Sequence, residues 1–176
     1  MEKKSHAVTG RQFILISGIP GSRKTTFGRY LKEKHGFYFF ETDPKPNWDK
    51  FTEELGLGVD NFVARWLNRH GNVCLEWGFD PCYLPYVLRF KKQGASLFWF
   101  TCDQHIARPN YLEAHSNDPN GVYLDIQLKK IKDARLPTPD FVTIETYIDG
   151  KPIPLEELTT KVLSKSGYVL PKWTAQ

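Results

Sequence analysis

A chain of 176 residues, 40% hydrophobic and 25% charged, has the length and composition of one globular domain, which excludes disorder throughout. Its formal net charge of +4 admits a phosphorylated or nucleic-acid partner without requiring one. No apolar run approaches the ~20 residues that cross a bilayer. Lys3 and Lys4 are followed by no apolar stretch of the signal-peptide kind, so no membrane role is expected. Cys74, Cys82 and Cys102 are odd in number and lack metal-knuckle spacing. Free thiols in a reducing cytoplasm follow, with Cys74 and Cys102 expected to be buried in apolar strands.

Phe13 to Ser17 is a short apolar β run that stops at a Gly/Pro cluster. Phe27, Tyr30 and Leu31 then recur at helical spacing, and Gly36 suits the C-cap. Residues 37–40 predict a second strand, closing at Asp43 and Pro44, with Pro46 and Asn47 continuing the loop. Residues 49–55 have room for one or two helical turns. Asp60 is the expected N-cap of a helix faced by Phe62, Val63, Trp66 and Leu67 and ended by Gly71. Val73 to Leu75 predicts a third strand running into Glu76, and Pro85 opens a helix carrying Val87, Leu88 and Phe90. Ser96 to Thr101 is the fourth predicted strand. Residues 103–139 are polar, with Arg108 and Pro109, a loop over 116–121, and a helical stripe of Leu124, Leu128 and Ile131. Phe141 to Tyr147 predicts a fifth strand, Asp149 and Gly150 a turn, and Pro154 the start of a last helix with Leu155, Leu158 and Val162. The tail from Gly167 to Gln176 is expected to be loosely held.

Alternating strands and helices predict a parallel sheet covered on both faces. In such folds ligands bind beyond the carboxyl ends of the strands. Gly18, Pro20, Gly21, Ser22, Arg23, Lys24, Thr25 and Thr26 stand there, between the first strand and the first helix. A loop that wraps a polyphosphate needs glycines, so that backbone amides can point inward, and the helix behind it adds its positive end. Lys24 supplies charge for β- and γ-phosphates, Thr25 a hydroxyl for Mg²⁺, and Ser22 or Thr26 a further donor. This is the Walker A, or P-loop, pattern with Arg23 where glycine normally precedes the lysine. The Arg23 side chain must leave the phosphate path, or reach toward a phosphate or the substrate.

Glu76, at the third strand's end, is positioned to hold Mg²⁺ through water or to orient a nucleophile. Asp43 is the candidate to accept a hydroxyl proton in phosphoryl transfer, with Glu41 as fallback. Transfer also needs positive charge over the moving group and exclusion of water. Residues 103–139 are the expected lid and Arg108 its expected phosphate-reaching residue. Lys129, Lys130, Lys132 and Arg135 are secondary candidates, and Lys129 to Lys132 read better as a solvated helix face. The stretch from Asn47 to Asn68, with Trp48, Phe51, Phe62 and Trp66, is expected to wall the acceptor pocket.

Gly18 to Thr26, the acid at Asp43 and the run Leu75, Glu76, Trp77, Gly78 and Phe79 together resemble the small P-loop kinases. That group includes gluconate kinase, zeta-toxin-type phosphotransferases and the 5′-hydroxyl polynucleotide kinase domain. The resemblance spans about residues 11–165 and treats residues 1–176 as a single domain. It implies an α/β, adenylate-kinase-like sheet of five parallel strands in the order 2-3-1-4-5, with a lid over about 103–139. It also implies ATP, with GTP left open, and Mg²⁺. It gives Lys24 and Thr25 to phosphates and metal, Asp43 to the acceptor hydroxyl, Glu76 to the metal shell and Arg108 to the lid. Two departures stand out: Arg23 replaces glycine, and Pro109 follows Arg108 without a closely spaced second arginine. A small-molecule hydroxyl is the first acceptor reading and a nucleic-acid 5′-hydroxyl the second. A nucleotide-binding module without turnover is the third. Oligomeric state is not readable.

Overall fold

The apolar run after Gln12 becomes β1 (Phe13–Gly18), buried at every residue. It is the centre of the fold in a computed structural model that describes residues 10–167. The expected loose tail therefore lies, apart from Gly167, outside the described residues. On one side β1 pairs with β3 (Val73–Glu76), which pairs with β2 (Tyr38–Glu41). On the other it pairs with β4 (Ser96–Thr101), which pairs with β5 (Val142–Glu145). All four pairings are parallel and the order is β2-β3-β1-β4-β5.

Strand alternation sends successive side chains to opposite faces. Phe13, Leu15, Val73, Leu75, Leu97 and Trp99 enter one core, which α2 (Lys45–Gly56), α3 (Phe62–His70) and α4 (Leu84–Lys92) cover with Phe51, Phe62, Trp66 and Phe90. Ile14, Ile16, Cys74, Phe98 and Phe100 enter the other, under α1 (Lys24–His35) and α7 (Leu155–Ser166), which add Phe27, Leu31, Leu158 and Val162. The first core is held by ring-on-ring contacts. Phe62 and Phe90 stack at 4.7 Å, and Phe51 meets Trp77 edge-on at 4.8 Å. Such pairs each add about 0.5–1.5 kcal/mol beyond their buried area.

Several expectations change in detail. Pro46 and Asn47 belong to the first turn of α2, where a proline lacks no intrahelical bond. Asp60 does not cap α3. It lies in the 3-10 turn Val59–Asn61, and its Oδ1 accepts from Arg89 Nε at 3.0 Å and Nη2 at 2.6 Å. A forked guanidinium competes well against one backbone N–H for a carboxylate. Cys102 falls just past β4 and is half-buried, while Cys74 is buried. The fifth strand stops at Glu145. Tyr147–Ile148 (β6) and Lys151–Pro152 (β7) fold instead into a small antiparallel hairpin. Asp149 and Gly150 turn it with φ values of 50° and 74°, the positive pair that tight hairpins require.

The segment after β4 holds two helices, α5 (Gln104–Ala114) and α6 (Val122–Asp133). The first continues through Pro109, which suggests a break in the sequence. Asp103 caps α5 by accepting from His105 N at 2.8 Å. Asp118 caps α6, accepting from the N–H groups of Val122, Tyr123 and Leu124, and also binds the hydroxyl of Tyr111 on α5. One carboxylate thus ties the two helices together.

Candidate active site

The loop between β1 and α1 is shaped by close approaches that only glycine permits. A Cβ on Gly18 would stand 2.0 Å from the Phe100 carbonyl oxygen, and one on Gly21 would stand 2.1 Å from the Ala107 carbonyl oxygen on α5. Both residues have positive φ, 136° and 78°. Ser22 is buried, and its hydroxyl donates to Ile19 O at 2.7 Å. Lys24 and Thr25 open α1, so the first amide groups of that helix face outward without carbonyls behind them. Lys24 is 9% exposed, and its Nζ donates to Ile19 O at 2.8 Å. Burial pulls its pKa below the ordinary value, opposed chiefly by Glu76.

Arg23 adopts the left-handed conformation a glycine would take, with φ 66°. Its side chain turns away from the loop interior. Nη1 donates to Ile153 O at 2.8 Å and Thr146 O at 3.3 Å, and the guanidinium lies 5.6 Å from the centre of the Tyr147 ring. The departure from the usual glycine is therefore accommodated by the hairpin after β5. Asn110 of α5 strengthens the same junction, donating to Gly21 O at 3.2 Å and to the Tyr147 hydroxyl at 2.9 Å. No sequence pattern singles out Asn110 or Tyr147. Their role depends on contacts across 89 and 37 positions of chain.

The strand register brings the acids together. Glu41 and Glu76 are direct partners across β2 and β3. The Thr25 hydroxyl donates to Glu76 Oε1 at 3.0 Å, with Glu41 Oε1 at 3.4 Å. Glu76 is 8% exposed, and its Oε2 is buried with no hydrogen-bond partner among the described residues. Burial pushes its pKa up to about 7, with Lys24 opposing and Glu41 adding to the rise. Burial also raises Glu41, opposed by Arg29. The donors here are oxygens of two carboxylates and a hydroxyl, a hard set that suits Mg²⁺. Among the described residues, no group of three or more His, Cys, Asp or Glu would hold a metal by itself.

A cleft of about 470 Å³ opens above this cluster. The loop residues Gly18, Pro20, Gly21, Ser22, Arg23, Lys24, Thr25 and Thr26 form its floor, and Glu41, Asp43 and Glu76 one side. Asp43 is exposed at that edge, two residues past β2. Its far wall is Phe79, Trp99, Tyr123, Gln127 and Ile131, with Tyr111 and His115 from the end of α5. The expected wall from Asn47 to Asn68 is not there. Phe51, Phe62 and Trp66 are core residues, because α2 and α3 turn their aromatic faces into the sheet. Nor does Arg108 line the cleft. It is held by Asp125 Oδ1 at 2.6 Å and Asn120 O at 2.8 Å, bracing α5 to α6. Lys129 and Lys130 are paired with Asp133 and Asp80.

No family model matches the chain. It is similar to Threonine synthase-like 1 of Homo sapiens and of Macaca fascicularis, 27% identical over 110 residues in each case. The match takes in 53% of this chain, which spans about 14% of the length of those relatives. Among solved structures it resembles a shikimate kinase from Acinetobacter baumannii in complex with shikimate (TM-score 0.58, 19% identity, 88% of this chain and 94% of that one). A gluconokinase from Sinorhizobium meliloti 1021 is similar to the same degree (TM-score 0.56, 20% identity, 89% and 92%). With the sheet order, these likenesses show the fold: a five-stranded parallel sheet in the order β2-β3-β1-β4-β5 flanked by helices, as in those two structures.

Proposed function

We propose that the chain is an ATP- and Mg²⁺-dependent phosphotransferase that moves the γ-phosphoryl group to a hydroxyl of a small molecule. The observation that carries this reading is the buried, unpartnered Oε2 of Glu76, set beside the Thr25 hydroxyl and one strand from Glu41. A carboxylate oxygen without a partner among the described residues, at the end of β3 and beside the β1–α1 loop, fits a shared cation site. Mg²⁺ is commonly held by one or two carboxylates plus the substrate's phosphates. When bound, it would neutralise charge between the β- and γ-phosphates.

The chain's own residues supply the rest. The loop amides and Lys24 cradle the polyphosphate, and Lys24 leaves the Ile19 carbonyl for a phosphate oxygen. Asp43 accepts the proton of the acceptor hydroxyl as that oxygen bonds to the γ-phosphorus and the bond to ADP's bridging oxygen breaks. The far wall and the α5–α6 pair keep water from the phosphoryl group. Replacing Asp43 by Asn tests the assignment, with transfer followed by ADP release in the presence of pooled hydroxyl compounds. Loss of a general base lowers the rate by about 10²–10⁴-fold, while ATP binding is retained. A variant with undiminished transfer would remove Asp43 from this role.

A further inference from the structure

Around the cleft, charge is distributed in a way that bears on the acceptor. Among the described residues that line it, the side chains with a permanent positive charge are Arg23 and Lys24, both in the phosphate loop. The Arg23 guanidinium is bound to the hairpin carbonyls, and Lys24 is buried under the loop. Against them stand four carboxylates: Glu41, Asp43, Glu76 and Glu113. The nearby helices carry further basic residues that do not line the cleft; Arg29 approaches it most closely through Glu41, at 3.7 Å, and several others are paired away from it. Arg65 and Arg69 pair with Glu54, Arg89 with Asp60, Arg108 with Asp125, and Lys130 with Asp80. His115 stacks on Tyr111, and its Nδ1 donates to the Tyr111 carbonyl at 2.9 Å.

The acceptor side is correspondingly aromatic and neutral. Phe79 and Trp99, core residues 5% and 3% exposed that reach the cleft, lie at its base and meet edge-on at 6.4 Å. Ile131, Gln127 and Tyr123 descend from α6. Tyr123 lines the cleft and is 58% exposed, and Val122 and Ile126 on the same helix are exposed as well. An anionic acceptor would give up its hydration against this wall with no counter-charge, among carboxylates of its own sign.

Resting on the phosphotransferase reading, we propose that the acceptor is a hydroxyl compound without negative charge. It lays an apolar or aromatic face on the wall formed by Phe79, Trp99, Tyr123 and Ile131. Its hydroxyl oxygen bonds to the γ-phosphorus of ATP, its proton passes to Asp43, and ADP leaves. The same charge pattern disfavours a nucleic-acid 5′-hydroxyl, because the described residues that line the cleft form no basic track for a phosphate backbone.

The test gives the full chain ATP and Mg²⁺ with three probe sets and measures ADP formation, with Lys24→Ala as blank. The uncharged set is thymidine and pyridoxine, the cationic set choline and ethanolamine, and the anionic set shikimate, gluconate and a 5′-hydroxyl dinucleotide. The best non-anionic probe is expected to exceed the best anionic one in kcat/KM by about tenfold or more. Equal or better use of an anionic probe overturns the proposal. So does silence of both non-anionic sets in a protein that binds ATP. Failure of ATP binding in a parallel titration would instead remove the phosphotransferase reading and this proposal with it. In a second arm, Gln127→Arg puts a guanidinium on the far wall. Its ratio of non-anionic to anionic kcat/KM is expected to fall by about tenfold or more, and an unchanged ratio contradicts the assignment of this wall to the acceptor.

Discussion

Arg23 offers a perturbation in which two opposing effects can be separated. A non-glycine residue in the left-handed region costs roughly 1–2 kcal/mol, and Arg23 is held there at φ 66°. Against that cost stand its two bonds to backbone carbonyls, at 2.8 and 3.3 Å. A hydrogen bond to a charged group contributes about 1.5–3 kcal/mol. The longer bond and the half-buried setting bring the pair to about 2–3 kcal/mol. Arg23→Ala keeps the strained backbone and loses both bonds, so it should destabilise by about that amount. For a domain of this size the midpoint then falls by about 4–12 °C. Arg23→Gly loses the same bonds and relieves the strain, so it should melt about 1–2 kcal/mol above the alanine variant. Thermal melts followed by circular dichroism, on wild type and both variants, give the order wild type, glycine, alanine. An alanine variant as stable as the glycine variant would refute the opposition of strain and hydrogen bonding. An alanine variant as stable as wild type would show that the hairpin contacts contribute nothing.

Two further perturbations test the neighbouring residues. Glu76 has a folded pKa near 7 against 4.5 for the free group. Its contribution to stability is therefore full below pH 4.5 and is lost as pH rises through 7. Glu76→Gln removes that loss, so its stability relative to wild type should rise by roughly 3 kcal/mol between pH 4 and pH 8. Melts at both pH values check this, and a pH-independent difference contradicts it. Gly21→Ala drives a Cβ to within 2.1 Å of the Ala107 carbonyl. Overpacking of this kind costs about 1–3 kcal/mol, which urea denaturation would read as a lowered midpoint. Displacement of α5 from the loop should also weaken ATP binding, and unaltered stability would mean that α5 does not rest on Gly21.

The sheet is largely legible because β1 to β4 are local runs rich in apolar residues, most of them bounded by Gly or Pro. The loop between β1 and α1 stands out because its pattern is written in nine consecutive residues, Gly18 to Thr26. Glu76 could be read as a strand-end acid, but its partnership with Glu41 depends on the register between β2 and β3. What the sequence concealed is long-range. The destination of Arg23 lies 123 and 130 residues away. Asp60 looked like a cap because that signal is local, whereas Arg89 is 29 residues distant. Pro109 concealed α5, since a proline inside a helix reads as a break. The acceptor wall was sought in aromatic residues between Asn47 and Asn68. Aromatic composition alone does not distinguish a cleft from a core, and Phe51, Phe62 and Trp66 went to the core. Arg108 was singled out for its charge, and Asp125, 17 residues on, claims it.

The central claim is that the phosphate loop binds ATP–Mg²⁺ through Lys24 despite Arg23. Thermal melts of wild type and Lys24→Ala, each with and without ATP–Mg²⁺, test it most directly. At about 100 times its dissociation constant, a ligand specific to the folded state adds about 2.7 kcal/mol. That corresponds to a rise of about 5–11 °C for a domain of this size. The rise is expected in wild type and is lost in Lys24→Ala. No rise in wild type, or an equal rise in both proteins, would contradict it.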